Sequence, residues 1–319
     1  MTDLVTFGET MLRFSPPGEV RLETADQYDV HVDGAESNVA VAAQRLGLDT
    51  AWISKLPDSP VGRRVAGELR NHGVDVDVVW DDSPERRQGT YYFEQGQPPR
   101  GSDVIYDRAR ASVTTATPEA LSTETIEHAA CFHTTGITPA LSDRLEATTA
   151  ELLTLAQEAG TQTSFDLNYR SNLWSPTDAR ETLTELFPDV DVLVVAERDA
   201  REVLAADGDA EAIARELTTA YGFEVTVVTR GSEGALALVD DTVYEQPTYD
   251  AASAYPVGTG DAFVGGFLTR YLDDEPVADA LSWGAATAAL KRSVPGDLAV
   301  VSPGEVRAVI DGRTESLSR

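Results

Sequence analysis

The sequence predicts an α/β protein with a doubly wound, mostly parallel sheet flanked by helices and a small β-sheet lid. Three observations carry that expectation. Short apolar runs alternate with segments of helical periodicity along most of the chain, and helical segments stop at glycines such as Gly47 and Gly73. Two stretches, 10–33 and 88–110, break this rhythm with β-like runs separated by Gly and Pro.

Residues 4–8 read as a buried strand, and 36–46 as a helix with apolar positions at Val39, Ala42, Ala43 and Leu46. A strand over 50–54, a helix over 61–71 and a strand over 74–80 repeat the pattern. Further on come a helix over 143–159, a strand over 162–166, a helix over 178–186 and a strand over 191–195. Helices through Leu204 and Leu217 and a strand over 224–229 follow. Strands joined by helices of this length imply right-handed crossovers and a parallel sheet. The interruptions hold β-like runs at 11–14, 90–93 and 104–106, read as lid strands. The expected division is a core of 1–9, 34–87 and 111–319 and a lid of 10–33 and 88–110.

At 319 residues and 42% hydrophobic content the chain is long enough for one substantial core. It shows no basic start with an apolar run and no stretch approaching the roughly 20 apolar residues of a membrane span, so a cytoplasmic protein is expected. The single cysteine, Cys131, excludes an internal disulfide and any Cys-based zinc site, and reads as a buried hydrophobe. A formal charge of −29 argues against nucleic acid or an anionic membrane as partner. Only Lys55 and Lys291 are lysines. Such self-repulsion needs screening, which points to a salt-rich cytoplasm.

The chemistry centres on Gly258-Thr259-Gly260-Asp261, because Val264, Phe267, Leu268 and Tyr271 continue it as a helix. Unpaired amides and the positive dipole end at a helix N-terminus form an anion site, and glycine lets a phosphate approach. A carboxylate there can take the proton of an attacking hydroxyl, which is the main covalent help that phosphoryl transfer needs. The same aspartate would also complement the helix dipole, and the pattern alone leaves both roles open. Phe263 stands at the third glycine of a dinucleotide fingerprint, and neither lysine follows a glycine as a P-loop requires.

Gly258 to Asp261 resembles the C-terminal signature of the ribokinase-like (PfkB) carbohydrate kinases. The run from Gly34 through Glu36, Asn38 and Ala42 to Arg45-Leu46-Gly47 resembles their N-terminal one. Within that family the chain resembles the branch acting on 2-keto-3-deoxygluconate, through Phe7-Gly8-Glu9, Tyr106-Asp107-Arg108, Phe165-Asp166-Leu167-Asn168-Tyr169-Arg170 and Pro295-Gly296-Asp297. The resemblance implies ATP-dependent phosphorylation of that sugar acid at its 6-hydroxyl, with Asp261 as base and Gly258, Thr259 and Gly260 as anion hole. It implies substrate contacts from Gly34, Asn38, Tyr91, Tyr106, Arg108, Arg170 and Asp297. It places Asn168, Arg170, Thr229, Gly231 and Gly234 on the nucleotide side. The galactonate epimer, a neutral-sugar kinase and a non-catalytic sensor are the alternatives. Arginine suits a carboxylate substrate, and two anions in so acidic a protein call for a locally positive pocket, with Arg108, Arg110 and Arg170 the suggestive arginines and Arg110 equally readable as a solvated lid residue.

Two departures stand out. Tyr255 replaces the aspartate usual in the family, which leaves a potassium requirement open; Ala196 replaces an asparagine, so no metal ligand is named and Mg²⁺ is expected to arrive with ATP. Exposed lid edges suggest a homo-oligomer.

Overall fold

The computed structural model describes residues 2–96, 99–251 and 254–313. Residues 97–98 of the expected lid and 1, 252–253 and 314–319 of the expected core lie outside the described residues. In chain order the elements begin with β1 (Leu4–Phe7), β2 (Met11–Ser15), β3 (Asp29–Asp33), α1 (Ala35–Leu46), β4 (Thr50–Pro57), α2 (Pro60–Asn71) and β5 (Asp75–Asp81). There follow β6 (Thr90–Glu94), β7 (Asp103–Asp107), α3 (Thr123–Glu127), β8 (Cys131–Thr135), α4 (Asp143–Ala159), β9 (Gln162–Asp166) and α5 (Pro176–Leu186). Next are β10 (Val192–Ala196), α6 (Glu197–Val203), α7 (Ala210–Tyr221), β11 (Val225–Thr229), β12 (Ala235–Val239) and β13 (Thr242–Gln246). The last helices are α8 (Thr259–Tyr271), α9 (Val277–Lys291) and α10 (Pro303–Ile310).

The large sheet has nine strands in the order β13-β12-β11-β10-β9-β8-β1-β4-β5, parallel except for the β12–β13 hairpin at one edge. Its inner strands are buried on both faces because both are covered, whereas the edge strands β5 and β13 are partly exposed. Val5, Phe7, Phe132, Phe165 and Leu193 pack toward α4, α5 and α7, whereas Leu4, Val192 and Val194 pack with Phe263, Phe267 and Leu281 of α8 and α9. The mostly parallel sheet is as expected, and after β11 the turn at Thr229-Arg230-Gly231 leads directly into the antiparallel strand β12.

The small sheet runs β3-β2-β6-β7. Its outer pairs are antiparallel, but β2 and β6 pair in parallel, Leu12 opposite Thr90. β1 neighbours both β4 and β8, so the order of the large sheet reverses there, and a crevice opens at the carboxyl ends of its strands.

Candidate active site

A cavity of about 410 Å³ occupies that crevice. Glu9 after β1, Ile137 after β8, Asp166 at the end of β9 and Ala196 at the end of β10 line its floor; Met11, Tyr91, Phe93 and Tyr106 of the small sheet form its roof. The mouth of α8 forms one wall. Two glycines seat this helix: a Cβ at Gly265 would lie 2.6 Å from that of Ala42 on α1, and one at Gly266 2.6 Å from Thr287 on α9. Such close packing brings the first turn of α8 against α1.

Gly258 caps α8 at φ +78°, and a Cβ there would lie 2.1 Å from the carbonyl oxygen of Asp297. At Gly260, by contrast, an added Cβ meets no atom within 4 Å. The approach to the helix mouth is open at that residue. Of the three expected anion-hole residues, Thr259 is already engaged, its amide and hydroxyl donating to the carbonyl of Pro256 at 3.3 and 2.6 Å. Among the described residues the amides of Gly260 and Asp261 have no backbone acceptor, and both residues line the cavity.

Asp261 lies on the cavity wall. Asn38, one turn into α1, donates through Nδ2 to Asp261 Oδ2 at 2.7 Å and to Asp33 Oδ1 at 2.8 Å. The Tyr91 hydroxyl donates to the other oxygen of Asp33. Burial pushes the Asp261 carboxyl up to about 6, against the hydrogen bond from Asn38, which favours its ionised form. Two further acids share the floor. Burial raises Asp166 to about 8, with the charge of Asp261 adding to it, and raises Glu36 to about 7, against hydrogen bonds from Thr138 and Thr135 at 2.7 and 2.8 Å.

The expected site residues fall into three groups. Gly34, Tyr91, Tyr106, Arg108, Asn168, Arg170, Thr229 and the 258–261 turn all line the cavity. Gly34 has its Cα against the Glu9 carbonyl, where a Cβ would sit 2.2 Å away. Arg108 pairs with Glu9 and lies 5.3 Å over the Tyr106 ring, while Arg170 is exposed and bonds the Tyr169 carbonyl at 3.1 Å. Asn168 holds φ +40° in a turn in which its amide bonds Asp166.

Asn38 and Asp297 form the second group, buried behind the wall. Asn38 is committed to the two aspartates, and Asp297 to Arg13 of β2. Gly231 and Gly234 form the third, lining an adjoining cavity of about 520 Å³ with Phe263, Ala285, Ala288 and Ala289. Thr229, Thr259 and Gly260 border both spaces, so a long ligand could run from one to the other past the mouth of α8.

The expectation of a locally positive pocket is corrected. Glu9, Asp33, Glu36, Asp166, Asp199 and Asp261 line the cavity against Arg108, Arg170 and Arg198, and Arg110 is exposed outside it. Counting nearby arginines missed the acids. Their signal was available, since Glu9 and Asp166 are polar residues at the carboxyl ends of apolar strands, where α/β proteins place ligands. Cys131 is core, as expected, and so is His133: burial lowers His133 to about 3, and its Nδ1 meets the Ser164 hydroxyl at 3.0 Å.

Both cavities suit a nucleotide: an apolar compartment for a base, and free helix amides at the junction for phosphate. Among the described residues no group of three or more acidic, His or Cys side chains forms a dedicated metal cage. No helix among them is long and apolar enough to cross a membrane.

Known proteins resemble this chain in sequence and fold. The chain is 60% identical over 317 residues to a 2-dehydro-3-deoxygalactonokinase of Haloferax volcanii, covering 99% of both chains. It is 31% identical to a 2-dehydro-3-deoxygluconokinase of Thermoproteus tenax, covering 97% of this chain and 94% of that one. The crystal structure of a 2-dehydro-3-deoxygluconokinase from Thermotoga maritima superposes with a TM-score of 0.90 at 32% identity, over 98% of each chain. The model of the pfkB family carbohydrate kinases matches residues 1–302, and the chain, with its Gly-rich helix mouth facing an acid-lined cleft, belongs to that family of sugar kinases.

Proposed function

We propose that this kinase transfers the γ-phosphate of ATP to the terminal hydroxyl of a 2-keto-3-deoxy sugar acid, with the galactonate form first among the candidates and the gluconate form second. The observation that carries the reading is Asp261, a carboxylate at the mouth of α8 beside free amides and facing a cavity of sugar size. The order of the epimers follows the 60% identical relative, which bears the galactonate name.

In this reading the sugar hydroxyl attacks the γ-phosphorus in line, its proton passes to Asp261, and ADP departs. The amides of Gly260 and Asp261 hold the transferring group, and the adjoining compartment around Gly231 and Gly234 takes the nucleoside. Mg²⁺ comes with ATP, as kinases of this family use it, and Asp166 and Asp199 are the cavity carboxylates that would receive its hydration shell. Arg108 and Arg170 receive the substrate carboxylate; Glu9 keeps Arg108 oriented until the ligand arrives. The segments 10–33 and 88–110 act as a lid. Two such lids associate through the outer face carrying Phe14, Tyr28 and Tyr92, whose rings cluster within 6.4 Å of one another.

ATP consumption in high salt against a panel of sugars and sugar acids tests the reading. Turnover of a 2-keto-3-deoxy acid, with KM raised about tenfold or more in Arg108→Ala and Arg170→Ala, is expected. Preference for a neutral sugar, or no turnover at all, would sink it. Light scattering after size-exclusion chromatography checks the oligomer.

A further inference from the structure

Lys291 closes α9 fully buried, and the reaction proposed above makes no use of it. Its Nζ donates to the backbone carbonyls of Tyr255 and Val294, each at 3.3 Å. Both partners are neutral dipoles rather than carboxylates. A buried ammonium is expensive unless its surroundings replace water, and a methionine would fill similar space, so the charge itself requires a reason.

Its position supplies one. Tyr255 and Val294 lie in the two loops that flank the mouth of α8. From Tyr255 the chain runs through Pro256 and Val257 into Gly258; from Val294 it runs to Asp297, whose carbonyl packs against the Cα of Gly258. The Tyr255 amide also bonds the Arg292 carbonyl at 3.1 Å. One nitrogen thus braces both walls of the anion site. The chain otherwise draws nearly all its positive charge from arginine. A space between converging carbonyls suits a compact ammonium better than a planar guanidinium fork.

We propose that Lys291 is a positioning residue for phosphoryl transfer, its ammonium serving as a built-in monovalent cation that fixes the loops around the mouth of α8 and supports the ionised form of Asp261. The inference rests on the kinase reading above. The groups facing Lys291 are Asp297 from the loop after α9, Arg13 from β2, His31 and Asp33 from β3, and Asp261 from α8. Lys291 is among the charges that lower the Asp261 pKa, against the burial that raises it. Burial depresses the ammonium itself from 10.5 to about 8, so the charge is lost as pH rises past that point.

Steady-state kinetics and thermal unfolding of the wild type and of Lys291→Met, from about pH 5 to about pH 10 in concentrated sodium chloride, test the proposal. In Lys291→Met, kcat is expected to fall by about 10²-fold with the sugar-acid KM little changed. The acid limb of its rate profile moves above about 6, the alkaline limb near 8 disappears, and the unfolding midpoint does not drop. In Lys291→Ala, methylammonium chloride substituted for part of the sodium chloride restores part of kcat. A kcat for Lys291→Met within about threefold of wild type, with both limbs in place, overturns the proposal. So does a loss of rate with no limb shift and no amine rescue, which would mark a role in folding only. Where the variants do not fold, a wild-type kcat that stays flat through about pH 8 overturns it. An inactive wild type overturns the kinase reading and this one together.

Discussion

Asp261 sits where an acid is hardest to keep ionised, and its environment sets the pH at which it can act. Because burial raises its pKa to about 6, kcat/KM should fall about tenfold per pH unit below that value, as the base is lost by protonation. Asp261→Asn should lower kcat by about 10²- to 10⁴-fold while ATP still binds; a variant that retains most of the rate would remove the residue from the reaction. Asp166 makes a different prediction. Its folded pKa of about 8 lies above the ordinary 3.8, so the folded state holds a proton that the unfolded chain gives up, and stability falls as pH rises from about 4 to about 8. Asp166→Asn keeps the acceptor for the Asn168 amide and removes that dependence. Calorimetry at about pH 8 should show Tm raised by about 2 °C or more, and an unchanged or lower Tm would contradict it.

At the scale of elements, the two glycines of the α8 turn serve different physics, and substitution separates them. Gly258→Ala meets the Asp297 carbonyl and a left-handed φ, so both stability and rate should drop. Gly260→Ala meets nothing, so it should fold like the wild type yet lose phosphate affinity, seen as a raised KM for ATP. A Gly260→Ala enzyme with an unchanged KM would mean that phosphate does not approach there. Helices with a clear stop were legible in the sequence: α1 and α4 end at Gly47 and Gly160, both at positive φ and both returning their amides to the last turn. The β12–β13 hairpin was not, although its Asp240-Asp241 turn has positive φ at both residues, a conformation aspartate tolerates. Helix α9 was missed for another reason. Ala280, Leu281, Trp283, Ala285 and Ala286 are buried around much of its circumference, so no polar face marks the period. At the site, motif residues were legible and their partners were not. Asp33 and Glu36 gain their partners only when α1, β3, β8 and α8 converge, which no local pattern records.

Over the whole molecule, a formal charge of −29 sets the conditions under which any of this can be measured. At about 1 M salt the screening length is about 3 Å, and at about 0.1 M about 10 Å, long enough for acids across the surface to repel one another. Dialysis to low salt should therefore abolish activity and reduce the circular-dichroism signal, with recovery on returning salt; full activity after dialysis would contradict the reading of the charge. The small sheet adds a constraint in time. Its central pair, β2 and β6, runs parallel and joins segments separated by β3, α1, β4, α2 and β5, so no local hairpin can form that pair. Closing so long a loop is entropically unfavourable until those intervening elements have folded. Among the described strands, amides of β2, β3, β6 and β7 should then exchange with deuterium soonest, and slow when sugar acid and ATP are both present. A newborn chain has its catalytic floor before it has a ceiling, and a chain under stress sheds that ceiling first.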